Sequence, residues 1–150
     1  IAVSIAPQPS MLFDYNGFPP ETYKYSYPAP GDPATGARVA ELCGAAGIPC
    51  RLDAERGFDH GVFVPLMLAW PRANIPVVCL SLHASLDPAM HLRIGAALHA
   101  LRREGVLLIG SGNGFHNMRE KDAARARRFN TALTKAVSLP PAERRAALLV

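Results

Sequence analysis

The chain has 150 residues, 49% hydrophobic and 19% charged, a composition that suits one folded domain with a real core and excludes a disordered segment. No apolar run reaches the roughly 18 residues of a membrane-spanning helix, and the opening residues carry no signal- or transit-peptide pattern. The net charge of +4 is uneven: residues 1–118 carry 8 Lys/Arg against 9 Asp/Glu, while residues 119–150 carry 8 against 3. A basic tail of that kind reads as a solvated helical face, so neither nucleic acid nor membrane is an expected partner.

Ile1 to Ala6 reads as a strand. From Pro7 to Pro30 (PQPSMLFDYNGFPPETYKYSYPAP) proline and glycine recur too often for a helix or a central strand. Phe13, Tyr15, Phe18, Tyr23, Tyr25 and Tyr27 are too many rings for a flexible linker, which predicts an ordered loop packed on the core. Asp32-Pro33 supplies an N-cap and a first-turn proline; Val39, Leu42, Cys43 and Ala46 follow at helical spacing, and Gly47 with Pro49 ends the run. Residues 49–53 read as a short strand. Residues 61–69 (GVFVPLMLA) read as an apolar helix capped by Asp59 or His60, with Pro65 tolerable only near the first turn.

Residues 75–82 (IPVVCLSL) give the strongest strand signal, apolar on both faces as in a buried parallel sheet. Asp87-Pro88 repeats the cap-and-proline device, ahead of a stripe of Met90, Ile94, Ala97, Leu98 and Leu101. Residues 106–109 predict the next buried strand, and residues 122–137 a helix with Phe129, Leu133 and Val137 turned inward. The fold class is therefore α/β: a largely parallel or mixed central sheet flanked by helices in three layers. The chain opens inside a strand pattern and closes on AALLV inside a helical one, so the expectation is that residues 1–150 are the central part of a single domain, truncated at both ends. Cys43, Cys50 and Cys79 are odd in number and form no C-x-x-C pair, which suits reduced thiols in the cytoplasm.

Ligands of such sheets bind beyond the carboxyl ends of the strands, where His83 and the loop GSGNGFHN (110–117) fall. The glycines at 110, 112 and 114 do not have dinucleotide spacing, and no Gly-Lys-Ser/Thr follows. Ser111 lies directly between two glycines, unlike a nucleophile elbow. A nucleotide-binding domain would rest on those glycines alone, and a tight strand-to-helix turn accounts for them as well.

His116 in this loop can act as base, acid or metal ligand, or simply bond to backbone. His60, in FDHG, invites the same two readings; adjacent side chains point apart, so no Asp59–His60 pair is implied. His91 and His99, eight positions apart on a helix, read as surface residues, and His83 as either a core histidine or a pocket wall. No convincing triad of metal ligands lies within the chain.

Four stretches carry a family likeness: YNGFPPETYKYSYPAPGDP, RLDAERGFDHGVFVPL, IPVVCLSLHASLDPAMHLRIGAAL and LRREGVLLIGSGNGFHN. In this order they resemble the class III extradiol ring-cleavage dioxygenases, in the subgroup that includes the 4,5-DOPA dioxygenases. The likeness runs from about Phe13 to His116, and DHG, SLDP and SGxxxHN are jointly specific.

The resemblance implies a non-haem metal enzyme that opens a catecholic ring with O2. The metal it implies is Fe(II), with zinc as the alternative, held by ligands that lie mostly outside these 150 residues. His116 matches the SGxxxHN histidine, an acid/base at the metal or, in some members, a ligand. His60 matches the DHG histidine, which lines the pocket and contacts substrate hydroxyl or oxygen. Tyr15 and Phe18 form an expected wall for a flat substrate ring. A homo-oligomer is compatible with this reading. A non-catalytic scaffold of the same fold is its alternative, against which the two histidines argue.

Overall fold

The structure is a computed structural model and describes residues 1–112, 114–117 and 122–149. Its centre is β1 (Ala2–Ser4), which pairs in parallel with β2 (Arg51–Asp53) in the register Ala2 to Arg51, Val3 to Leu52 and Ser4 to Asp53. The crossover between them is α1 (Pro33–Ala45). Asp32 caps this helix as its sequence predicts, accepting from the Thr35 N–H at 3.0 Å and the Thr35 hydroxyl at 2.6 Å. Gly47, in the left-handed region at φ 69°, ends it. Gly36 is where α1 crosses β1: a Cβ there would stand 2.5 Å from the Ser4 carbonyl oxygen, so only glycine allows the approach.

The segment 75–82 does not form the parallel strand its pattern predicts. Residues 79–81 run antiparallel to β1 through one bridge, Val3 to Leu80, made by Ser4 N–H to Cys79 O and Ser81 N–H to Ala2 O, both at 2.9 Å. Serine hydroxyls take over on either side. Ser4 Oγ accepts from the Cys79 N–H at 2.8 Å, and Ser81 Oγ accepts from the Ala2 N–H at 2.9 Å, so side chains replace the backbone partners of a regular ladder.

The apolar alternation is nonetheless used as expected. Val78 and Leu80 pack on a cluster of Val3, Val39, Cys43, Ile48, Ile94, Leu98 and Leu101. Val77 and Cys79 pack on the opposite cluster of Tyr27, Ala29, Phe58, Phe63 and Ala73. The two-stranded parallel sheet, with residues 79–81 bridged to β1, thus has α1 and α3 (Pro88–Ala97) on one face, and α2 (His60–Ala69) with the aromatic loop on the other.

Three further expectations are corrected. Residues 106–109 form no strand: Leu107, Leu108 and Ile109 are 69%, 46% and 55% exposed, because no neighbouring strand among the described residues pairs with them. On α4 (Ala123–Val137), Phe129 and Val137 are largely exposed rather than inward, and Ala136 is the buried residue. That helix packs against the short α5 (Pro141–Ala147) and, through Phe129, on Phe115, rather than on the sheet. Pro65 lies in the interior of α2 rather than in its first turn, a position that leaves one helical carbonyl without its donor.

The loop from Pro7 to Pro30 is irregular apart from one 3-10 turn, Pro20–Lys24, and it is anchored as its rings predict. Tyr27 and Ala29 are buried, and the Tyr27 hydroxyl donates to the Trp70 carbonyl at 3.2 Å. The three cysteines are free thiols. Among the described residues no helix is long and apolar enough to cross a membrane.

Candidate functional site

The site lies on the aromatic face, at the N-terminus of α2. Residues 10–12 run alongside residues 57–58, with Phe58 N–H to Ser10 O and Leu12 N–H to Phe58 O both at 2.8 Å. This pairing sets two side chains against each other from segments far apart in sequence. Asp14, two residues beyond it on one side, meets His60, two residues beyond it on the other.

The Asp14 Oδ1 accepts from the His60 backbone N–H at 3.1 Å and stands 2.8 Å from the His60 Nδ1. Partial burial pushes the Asp14 carboxyl up, but the backbone and ring hydrogen bonds from His60 outweigh it and hold the group below its ordinary value. Asp59 does not compete for the ring, because its carboxylate is taken by Arg56 at 2.7 Å. As expected, then, Asp59 and His60 do not pair. Asp59 occupies the N-cap position of α2 but makes no side-chain cap bond.

Rings build the wall. Tyr15 meets the His60 ring edge-on at 6.0 Å and 86°, and Phe18 packs edge-on against Tyr15 at 5.4 Å. Phe13, Tyr23 and Phe63 complete the cluster behind them. The Tyr15 hydroxyl is tied to the Thr22 carbonyl at 2.6 Å, so Tyr15 is oriented rather than loose. Phe18 is 59% exposed and forms the outer lip. His60, Tyr15 and Phe18 therefore stand together in one ring cluster.

The Gly110–Asn117 loop reaches this place through Ser111, whose hydroxyl donates to the Gly61 carbonyl. The usual donor to that carbonyl would be the N–H of residue 65, and Pro65 has none. The loop thus fastens to a vacancy one residue from His60. Its far end leans the other way, with Phe115 packed on Phe129 of α4 at 5.6 Å. His116 lies exposed between these anchors and makes no hydrogen bond with other described residues. The structure therefore brings the loop into contact with the His60 region through Ser111. Asn113 and residues 118–121 lie outside the described residues, and so does the part of the GSGNGFHNMRE motif that falls on them. Gly112 adopts φ 127°, which fits the turn reading of the glycines.

Two residues of this arrangement escape a reading by motif. Asp14 gives no signal beyond being the sole acid between Pro7 and Pro20, and Ser111 matters for its hydroxyl rather than as a nucleophile. The remaining histidines lie elsewhere. His91 is half-buried rather than at the surface: its Nε2 accepts from the His83 N–H at 3.1 Å and its Nδ1 faces the Asp87 carbonyl at 2.8 Å. It braces the turn in which Leu86 adopts the left-handed φ of 53°. His99 is exposed, as expected. Among the described residues no group of three or more His, Cys, Asp or Glu side chains could hold a metal ion, so these residues do not by themselves compose a metal centre.

Residues 2–138 match the family described as the catalytic LigB subunit of aromatic ring-opening dioxygenase. The chain belongs to this family. Its relatives include the dioxygenase tasH of Hapsidospora irregularis, 44% identical over 157 residues, a match covering 93% of this chain and 48% of that protein. The 4,5-DOPA dioxygenase extradiol of Beta vulgaris is 44% identical over 70% of this chain and 40% of its own length. The Escherichia coli protein of the same name is 46% identical over 74% and 41%. The crystal structure of an uncharacterized protein from Escherichia coli superposes with a TM-score of 0.72 at 36% identity, covering 93% of this chain and 54% of that one. This LigB-family chain thus spans less than half the length of those named relatives.

Proposed function

We propose that the chain carries the substrate-facing part of an extradiol dioxygenase site, which opens a catecholic aromatic ring with O2. The observation that carries the reading is the His60 ring, held by Asp14 and flanked edge-on by Tyr15 at the mouth of an aromatic wall. Membership of the ring-opening family and likeness to proteins named as 4,5-DOPA dioxygenases support it.

The roles divide as follows. Tyr15 and Phe18 receive the flat ring of the substrate and exclude water from one side of it. His60 takes up a proton from a catechol hydroxyl, and His116 acts as the acid/base on the loop fastened by Ser111. The reaction adds both oxygen atoms of O2 to the catechol as its ring opens to a semialdehyde, so no external reductant is consumed. Fe(II) is the metal this family resemblance implies. The described residues do not supply its ligand set; among them, His116 is the donor offered in this reading.

The 150 residues are, in this reading, the central part of one catalytic domain. The test uses the protein in its complete encoded form, supplied with Fe(II) and a catechol in air. Growth of a yellow ring-opened semialdehyde with matching O2 uptake is expected. His116→Ala should lower turnover by about two orders of magnitude while the fold is kept. No O2 uptake with any catechol would defeat the activity, and an unimpaired His116→Ala would remove the role given to that residue.

A further inference from the structure

We propose that Asp14 is the positioning residue of His60, fixing the ring as its Nδ1–H tautomer so that the Nε2 lone pair is the face offered to a substrate hydroxyl. The identity of that hydroxyl rests on the catechol-cleaving reading, whereas the tautomer follows from the Asp14–His60 geometry alone. An ionised carboxylate has no proton to donate, so an imidazole nitrogen 2.8 Å from Asp14 Oδ1 must be the donor. Neutral imidazole carries one N–H, and placing it on Nδ1 leaves Nε2 as the acceptor. A free histidine side chain in water prefers the opposite arrangement, with its proton on Nε2.

Three features make the pairing a held geometry rather than a chance surface contact. The same Oδ1 also accepts from the His60 backbone N–H at 3.1 Å, which ties carboxylate to backbone and ring together. The Asp14 segment is registered on the His60 segment by the two 2.8 Å backbone bonds between residues 10–12 and Phe58. Gly57 is the residue that lets these segments lie so close, since a Cβ there would stand 2.3 Å from the Ser10 carbonyl oxygen. Tyr15, directly after Asp14, then presents its ring edge-on to the imidazole, so one turn of loop orients both the nitrogen and the plane of His60. The nearby alternative partner, Asp59, is committed to Arg56.

A histidine held this way does what a base must do before substrate arrives. In the neutral ring the Nε2 lone pair is already aimed, and the imidazolium formed on taking a proton from a hydroxyl meets a carboxylate across the ring. Asp14 touches His60 and not the substrate, so its role is to position and to stabilise.

The test is the tautomer itself, read from long-range 15N–1H correlations of the imidazole rings in the metal-free chain at a pH where the rings are neutral. The His60 signals are identified as those missing from His60→Gln. In the unaltered protein the His60 Nδ1 should appear as the protonated nitrogen, favoured by about tenfold or more over Nε2. Asp14→Ala should reverse that preference toward Nε2–H, while the other four histidines keep their patterns. A His60 ring already Nε2-protonated in the unaltered protein would overturn the proposal even if Asp14→Ala fails to fold. So would an unchanged pattern in a folded Asp14→Ala. Because the readout needs neither metal nor catechol, a correct tautomer in a protein without dioxygenase activity would defeat the proposed function and leave this inference standing.

Discussion

Replacing Gly57 by alanine tests whether the site depends on two loop segments lying unusually close. A Cβ at this position would stand 2.3 Å from the Ser10 carbonyl oxygen, 2.8 Å from its hydroxyl and 3.0 Å from its carbonyl carbon. The nearest of these contacts is with backbone, so a rotamer change cannot relieve it. Moving that oxygen out to about 3.0 Å separates the segments by roughly 0.7 Å, which stretches both 2.8 Å bonds, Phe58 to Ser10 and Leu12 to Phe58, to about 3.5 Å. Two hydrogen bonds at about 1 kcal/mol each, with some loosening around the fully buried Phe58, cost about 2–3 kcal/mol. The lower unfolded-state entropy of alanine returns about 0.4–1 kcal/mol, leaving a net loss of about 2 kcal/mol. For a chain of this length that lowers the melting temperature by about 4–8 °C. The assay is thermal unfolding of Gly57→Ala followed by circular dichroism beside the unaltered protein. A melting temperature within about 1 °C of the parent would refute the reasoning, since it would mean that the two segments are free to separate.

Ser111→Ala should speed amide exchange at Gly110 and Gly112 while changing overall stability by less than about 1 kcal/mol, and unchanged exchange would show that the hydroxyl does not hold the loop. Leu101, fully buried in the first cluster, should cost about 2–5 kcal/mol when cut to alanine, against almost nothing for the exposed His99; equal effects from denaturant titrations would contradict the core described here. Asp32 is held below its ordinary value, mainly by the Thr35 hydroxyl and then by the Thr35 N–H, despite partial burial. Its contribution to folding is therefore fully present above the ordinary carboxylate range and is lost as pH falls through its lowered folded value. Asp32→Ala should accordingly destabilise by about 1 kcal/mol near neutrality, and the gap should close in acid; a gap independent of pH would refute the cap.

What could be read along the chain was what the chain encodes locally. Asp32-Pro33 and Asp87-Pro88 start helices because a cap and a fixed φ act within one turn, and Asp32 and Asp87 do accept the N–H groups predicted for them. The apolar pattern of residues 75–82 announced burial on two faces, which holds for Val77 to Leu80 but not for the exposed Ile75 and Leu82; pairing direction is a property of the neighbour, and β1 takes this segment antiparallel. At Leu107 to Ile109 the same kind of pattern meets no ladder among the described residues, so hydrophobicity alone misleads. His60, Tyr15 and Phe18 stand out as candidates because FDHG and the ring-rich loop each depart from their surroundings. Their joining through Asp14 was not legible, since it depends on residues 10–12 finding residues 57–58, a register that no local pattern reveals.

The proline in α2 has a consequence for how substitutions at distant positions should combine. By lacking a proton, residue 65 dictates where on the helix a hydroxyl from residue 111 is welcome. An alanine at 65 would restore the helix's own bond to Gly61 and evict the serine, so a gain in helical regularity would be a loss of attachment. The two positions, 46 residues apart in sequence, therefore form a linked pair: changing either alone carries a penalty, and changing both should cost less than the sum of the two. A search for more stable variants would be drawn to Pro65 as an obvious fault, and correcting it would loosen the loop that carries His116.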